Sequence, residues 1–444
     1  MELQEKNLQA GYYQLKVTPY LGYRIPGYYR IREAKGIIED LYLRATAFSD
    51  GEKKAIVFSV DALAIDTNAA DDLRQMIAKR CHMDPEAVYL TATHSHTALR
   101  VEKPDEDGTE CDTYCKWLYM QFVDCAEYAF RDLKPCRLMH AVGAVDNVGF
   151  SRIYRMKDGS CETNPGIGNP NAVAFLGQQD TSLHLIRIVR ENAKEILFVN
   201  FGTHADVITT RTFSPDWPGY LANLLVKAFD GQVEAMPLIG CEGNSNHVNV
   251  FNTADTLQRT DSYARRIARI LAGETLKIYD GATSLEQQGI DYCRLPVQVG
   301  RNPWRDEDVP IAREICDLYN VDEYHDQTHP IFKKYPITVP EACRIIRSLT
   351  LPEYTTLTVS ALRLGGVTLV GFPGEPFCSI GMDTKNACSQ TVITTCLTNG
   401  ADGYFPDAEA FREKGYERES SLMAHNVGQL LSEAGIAAVN KLNP

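Results

Sequence analysis

The chain has no basic surplus. Its 444 residues carry 45 Lys and Arg against 58 Asp and Glu, a formal net charge of -13. Phosphate backbones are bound by basic surfaces, so nucleic acid is excluded as a partner and docking on anionic membranes is disfavoured. No run approaches the roughly 18 apolar residues of a membrane span, and Met1 to Lys6 lacks the apolar core of a signal peptide. The expected address is therefore cytoplasmic, with no stable membrane anchor. Cysteine occurs 13 times, an odd number, without a Cys-x-x-Cys pair; Cys111 and Cys115 are the nearest two. Several lie in apolar runs, such as Cys241 and Cys396, where the reduced residue acts as a small core side chain, so no disulfide framework is expected. There is no Pro, Ser or Gly-rich linker, internal repeat or low-complexity tract. With 44% hydrophobic residues the chain can bury a large core. It reads as a single domain over 1–444, in which the polar stretch 301–352 is a helical insertion shaping a pocket. These features suit an enzyme acting on a small-molecule substrate; the oligomeric state is not legible.

Strand and helix patterns alternate: strands at Ala55 to Ile65, Ala87 to His94, Leu183 to Ile188, Ile196 to Phe201, Met236 to Gly240, Thr356 to Leu364, Val367 to Phe372 and Val392 to Leu397. Helices read at Thr67 to Arg80, opened by a Thr cap, and at Asp112 to Arg131, Pro218 to Phe229, Asp255 to Leu271 and Ser420 to Asn440. The fold class is α/β, with central mixed β-sheets flanked by helices and a metal site at the strand ends. The site follows from three of these strands. One ends in Thr93-His94-Ser95-His96, where two histidines two apart point to one side of an extended chain. A second ends in Gly202-Thr203-His204, and a third in Pro373-Gly374-Glu375. Ligands bind at the carboxyl ends of strands in open α/β sheets. Two imidazoles, a carboxylate and an open position make the donor set of catalytic zinc; Fe(II) and Mn(II) suit the same donors.

The chain also resembles the catalytic domain of neutral ceramidases, zinc amidases that cleave N-acyl sphingosine, and more closely the shorter bacterial proteins sharing that domain. The resemblance runs from Val17-Thr18-Pro19 and Gly22 to Tyr28 through Asp40 to Ala45, Ser59-Val60-Asp61 and Thr93 to His96. It continues in Asp216 to Tyr220, Gly371 to Glu375, Gly403-Tyr404 and Tyr416-Glu417. It implies zinc ligands His94, His204, Glu375 and Tyr404, the last a phenolic ligand that spacing alone does not suggest. Tyr416 matches a tyrosine that hydrogen-bonds the substrate carbonyl, His96 the second motif histidine, Arg152 a substrate-contacting arginine for which Arg155 competes, and Gly27 a glycine whose backbone approaches the substrate. Trp217 is a candidate substrate contact, and the family's C-terminal β-sandwich is expected to be lacking. Where ceramidases carry serine in a Gly-Asp-x-Ser-Pro type motif, Gly240 to His247 puts Asn246. An amide cannot be the nucleophile, but it can orient water or donate to an oxyanion.

The expected activity is thus a zinc-dependent hydrolase using metal-activated water, most simply on the amide bond of an N-acylated small molecule. Tyr416 and His96 would donate to the oxyanion, with protonation of the leaving amine as an alternative for His96. A glycosidase or esterase acting on a carbohydrate, and a non-catalytic binding module, are the other readings. Asp61 either orients a ligand imidazole or caps the following helix. His82, His140, His184, His325, His329 and His425 are read as structural or exposed, while His247 is of interest because it adjoins Asn246.

Overall fold

The computed structural model describes residues 8–28, 32–254, 257–286, 289–320, 329–413 and 415–442. Its strands form two main sheets. The larger runs in the order Val233–Ile239, Glu195–Phe201, Ser182–Arg190, Lys134–Ala144, Gln9–Lys16, Tyr42–Ser49, Lys54–Val60 and Val88–Ala92, with Thr283–Ser284 pairing against Lys134–Ala144. The smaller runs Ile290–Gly300, Tyr354–Leu364, Val367–Gly371 and Thr391–Thr395. Pairing is mixed. Glu195–Phe201 with Val233–Ile239, Lys54–Val60 with Val88–Ala92, and Val367–Gly371 with Thr391–Thr395 are parallel.

These parallel strands read as unbroken apolar runs because both of their faces are covered. In Lys54–Val60, Ile56, Phe58 and Val60 face a core shared with helices, while Ala55 and Val57 face a second core between the sheets. Val88 and Leu90 divide from Tyr89 in the same way, following the period of two. Helices Thr67–Cys81, Glu110–Arg131, Asp216–Ala228 and Asp261–Tyr279 cover the larger sheet, and Cys378–Asn386 and Val427–Leu442 cover the smaller. The result is four layers, helix, sheet, sheet, helix. Polar bonds cross the inter-sheet core: the Tyr89 hydroxyl meets Thr395 Oγ1 at 2.7 Å, and Asn200 Nδ2 donates to Thr394 O at 3.1 Å.

Some local expectations change. The stretch Ala55 to Ile65 is two strands, Lys54–Val60 and Ala62–Ile65, broken at Asp61. Asp61 neither orients a ligand nor caps the helix: Arg44 Nη1 donates to it at 2.8 Å and Tyr42 N at 2.9 Å. Thr67 is the first helical residue rather than the cap, and its hydroxyl donates to Asp402 at 3.0 Å. Helix Asp261–Tyr279 starts later than its apolar pattern because Thr260 caps it, accepting from Tyr263 N. The last helix likewise begins at Val427, after a separate short helix, Tyr416–Ser420.

Between the first two strands of the smaller sheet lie helices Asp308–Asn320, Pro330–Lys334 and Val339–Ser348, with a small core of their own around Ile315, Ile331 and Ile345. The Thr338 hydroxyl donates to Glu419 at 2.7 Å, tying this unit to helix Tyr416–Ser420. His325 lies outside the described residues. Among the described residues, no helix is long and apolar enough to cross a membrane.

Candidate metal centre and cavity

Strand Val88–Ala92 ends before His94, and the chain does not stay extended: His94 takes φ 58°. The two motif histidines still converge, but through this left-handed turn rather than by strand alternation, and their Nε2 atoms lie 3.2 Å apart. His94 Nδ1 lies 2.9 Å from Leu63 O; donating there leaves Nε2 as the ligating nitrogen. His204, just past Glu195–Phe201, has Nδ1 2.9 Å from Ser245 O and in contact with the Glu242 carboxylate, so its Nε2 also faces the centre. Trp217 Nε1 donates to His204 O at 3.1 Å, fixing the backbone behind the ring.

Glu375 follows the third strand and pairs in parallel register with Tyr404, which places carboxylate and phenol side by side. Glu375 Oε2 lies 3.4 Å from His94 Nε2 and 3.2 Å from His204 Nε2. The Tyr404 hydroxyl is 3.3 Å from His204 Nε2. Burial pushes the Glu375 carboxyl up, but His94 and His204 outweigh it and hold the group well below the usual range. Burial would lower both imidazoles, yet Glu375 and Glu242 raise His94, and Glu242 chiefly pushes His204 up to about 10. Two buried carboxylates thus draw positive charge into this point. Glu375 Oε2 is buried without a hydrogen-bond partner among the described residues, and it faces both imidazoles. An orphaned carboxylate oxygen between two imidazole nitrogens fits a divalent cation. His94, His204, Glu242 and Glu375 each offer a ligand atom within 4.8 Å of the others, and His94, His96 and His204 form a second such group.

Glu242 went unnoticed as a site residue in the sequence. The available signal was its place just past Val233–Ile239, whose parallel partner ends near His204. Its carboxylate touches Nδ1, the far nitrogen of His204, so it orients that imidazole and raises its basicity.

The centre opens into a cavity of about 750 Å³ lined by Gly27, His96, Arg152, Tyr404 and Tyr416 among others. Arg152, not Arg155, reaches it: Arg152 Nη1 lies 3.0 Å from His204 Nε2 and 3.4 Å from the Tyr404 hydroxyl, while Arg155 is engaged with Glu413 at 2.9 Å. Glu417 lies 2.9 Å from Arg152 Nε and buries with it. Burial would lower the Arg152 pKa, but Tyr404 and Glu417 raise it well above its ordinary value. Gly27 has φ 103°, and a Cβ there would lie 2.9 Å from His96 Nδ1. Burial, then neighbouring His94, holds His96 well below its ordinary value, which keeps it neutral.

Asn246 and Trp217 are not in the cavity wall. Asn246 is fully buried and donates to Asn164 Oδ1 at 2.7 Å, and it is Asn164 that lines the cavity. His247 is also buried, its Nδ1 3.1 Å from Asp206, another wall residue.

The architecture and the strand-end cluster together define a two-sheet α/β fold with a His/Glu group at its strand ends that could hold a metal ion. That fold is shared with solved ceramidases. The structure of neutral ceramidase from Pseudomonas aeruginosa superposes with a TM-score of 0.70 at 16% identity, covering 98% of this chain and 75% of that one. A ceramidase complexed with C2 gives 0.70 at 14% identity with the same coverage. No family model matches the sequence, and no curated protein matches it.

Proposed function

We propose that this protein is a zinc-dependent hydrolase that cleaves the amide bond of an N-acylated small molecule. The observation that carries the reading is the convergence of His94, His204 and Glu375 at the cavity floor, supported by a fold shared with neutral ceramidase. Tyr404 completes the donor set as the family resemblance implies. Zinc, when bound, supplies Lewis acidity, which activates water near neutral pH and polarises a carbonyl.

The protein's own groups do the rest. Neutral His96 has an N–H to give to a developing oxyanion, and its depressed pKa favours this role over protonating the leaving amine. Tyr416, which also lines the cavity, donates to the same oxygen. One well-placed donor is worth about 3 kcal/mol. The Arg152 guanidinium, held by Glu417 beside Tyr404 and Tyr416, orients the acyl group and keeps both phenols in place. Glu242 and Trp217 position His204 from behind. Asn246 acts through Asn164 and so is a positioning residue in this scheme.

The test is amine release from a panel of N-acyl amides, including ceramide and N-acetyl sugars, alongside glycosides and esters, with and without chelator. Chelator-sensitive release of a free amine supports the proposal. Release of a sugar or alcohol instead redirects it to another bond, and no turnover with any class refutes it.

A further inference from the structure

We infer that the substrate, besides its amide, carries an anionic group held at the cavity mouth by Arg259 and Arg347, an inference that rests on the hydrolase reading above. Four arginines line the cavity: Arg100, Arg152, Arg259 and Arg347. Two are neutralised, Arg100 by Asp66 at 2.5 Å and Arg152 by Glu417 at 2.9 Å. Arg259 and Arg347 make no ion pair among the described residues. That is unexpected on a chain with 58 carboxylates to 45 basic groups.

The wall carboxylates do not pair with them. Four line the cavity, Glu162, Asp206, Glu375 and Glu419. Asp206 faces His247, Glu375 faces two imidazoles, and Glu419 accepts from Thr338. None of the four pairs with Arg259 or Arg347, so these two are the arginines of the cavity wall left without a carboxylate partner among the described residues. Guanidiniums without a carboxylate partner are free to take an anionic group of a ligand.

The two arginines come from different walls. Arg259 precedes helix Asp261–Tyr279, which covers the larger sheet, and it lies close enough to Tyr28 to influence that phenol, whose ring packs on His96. Arg347 belongs to helix Val339–Ser348, inserted between strands of the smaller sheet. Both side chains are exposed, so they meet a ligand while still hydrated. Guanidinium forks match carboxylate, sulfate and phosphate oxygens in pairs. The wall also presents Thr163, Asn164, Thr338 and Ser420, polar groups that suit a small hydrophilic body better than two alkyl chains.

The test is binding by calorimetry at constant ionic strength to matched pairs: N-acetylglucosamine 6-phosphate and its 6-sulfate against N-acetylglucosamine, and N-acetylglutamate against N-acetylglutamine. At least one anionic member is expected to bind tighter than its neutral partner by about tenfold or more, as for a charge-assisted hydrogen bond; the pair that shows it identifies the anion. Arg259→Ala with Arg347→Ala collapses that ratio toward one, while Arg137→Ala, an exposed arginine outside the cavity, preserves it. Circular dichroism checks that the variants fold. Equal binding within every pair, or a ratio that survives the double substitution, overturns the inference. Amine release is scored separately: anion-selective binding without release sinks only the hydrolase reading, and release without anion preference sinks only this one.

Discussion

Removal of Glu417 tests whether the Arg152 arm of the site is held by charge. The Glu417 side chain is 1% exposed and that of Arg152 8%, with Oε1 and Nε 2.9 Å apart. The other carboxylate oxygen accepts from Thr163 Oγ1 at 2.9 Å. Glu417→Ala leaves a guanidinium desolvated without its counter-charge, and breaking a buried pair from one side costs about 3–5 kcal/mol. With a urea slope near 3 kcal/mol per molar, the unfolding midpoint falls by roughly 1–1.7 M. Glu417→Gln keeps the Thr163 bond but loses the charge, so it falls nearly as far. Arg152→Met with Glu417→Leu recovers most of the stability, because two apolar side chains no longer strand a charge. That double variant does not recover turnover, since the guanidinium beside His204 and Tyr404 is gone. Urea unfolding followed by fluorescence, with an amide hydrolysis assay, reads both. A Glu417→Ala midpoint within about 0.3 M of wild type, or a double variant no more stable than the single one, refutes the reasoning.

His94→Ala removes a donor from the centre and is expected to abolish both bound metal, measured by plasma emission, and turnover; full activity would reject the site. Gly27→Ala puts a methyl group 2.9 Å from His96 Nδ1 at φ 103°. It is expected to lower stability by about 1–3 kcal/mol and, by displacing the imidazole, turnover by roughly 100-fold; wild-type kinetics would show that His96 need not sit there. Stability is also predicted to depend on the stacked pair His140 and His184, whose ring nitrogens lie 3.2 Å apart. Burial lowers His140 to about 4, and burial with Lys385 lowers His184 to about 3. Both folded values lie below the unfolded one near 6.5, so the unfolded chain binds more protons as pH falls below it. Stability is intact above that point and declines toward the folded values, by about 2–3 kcal/mol per imidazole at pH 4.5. His184→Asn shrinks the loss of urea midpoint between pH 7 and 4.5; an equal loss in the variant contradicts the assignment.

The strands legible in the sequence are those buried on both faces, such as Ile196 to Phe201 and Val367 to Phe372, because continuous apolar runs need no knowledge of their neighbours. Gln9–Lys16 and Lys134–Ala144 escape that reading. Their buried positions are few or small, such as Ala10 and Leu138, set among Gln14, Lys16 and Arg137. Helix starts shift where a cap such as Thr260 overrules the apolar pattern.

The sequence alone determined that His94, His204 and Glu375 would end strands, since a donor following an apolar run is a local property of the chain. It also determined the acidic balance and the absence of a long apolar run. Only the tertiary structure decided that the three strand ends meet, because they belong to two stacked sheets whose pairing is non-local. It alone put Glu242 behind His204, withdrew Asn246 and Trp217 from the cavity wall, and set Glu417 against Arg152 across 265 positions of chain. Such contacts follow from packing and buried charge, which sum over the whole fold and leave no pattern in any one segment.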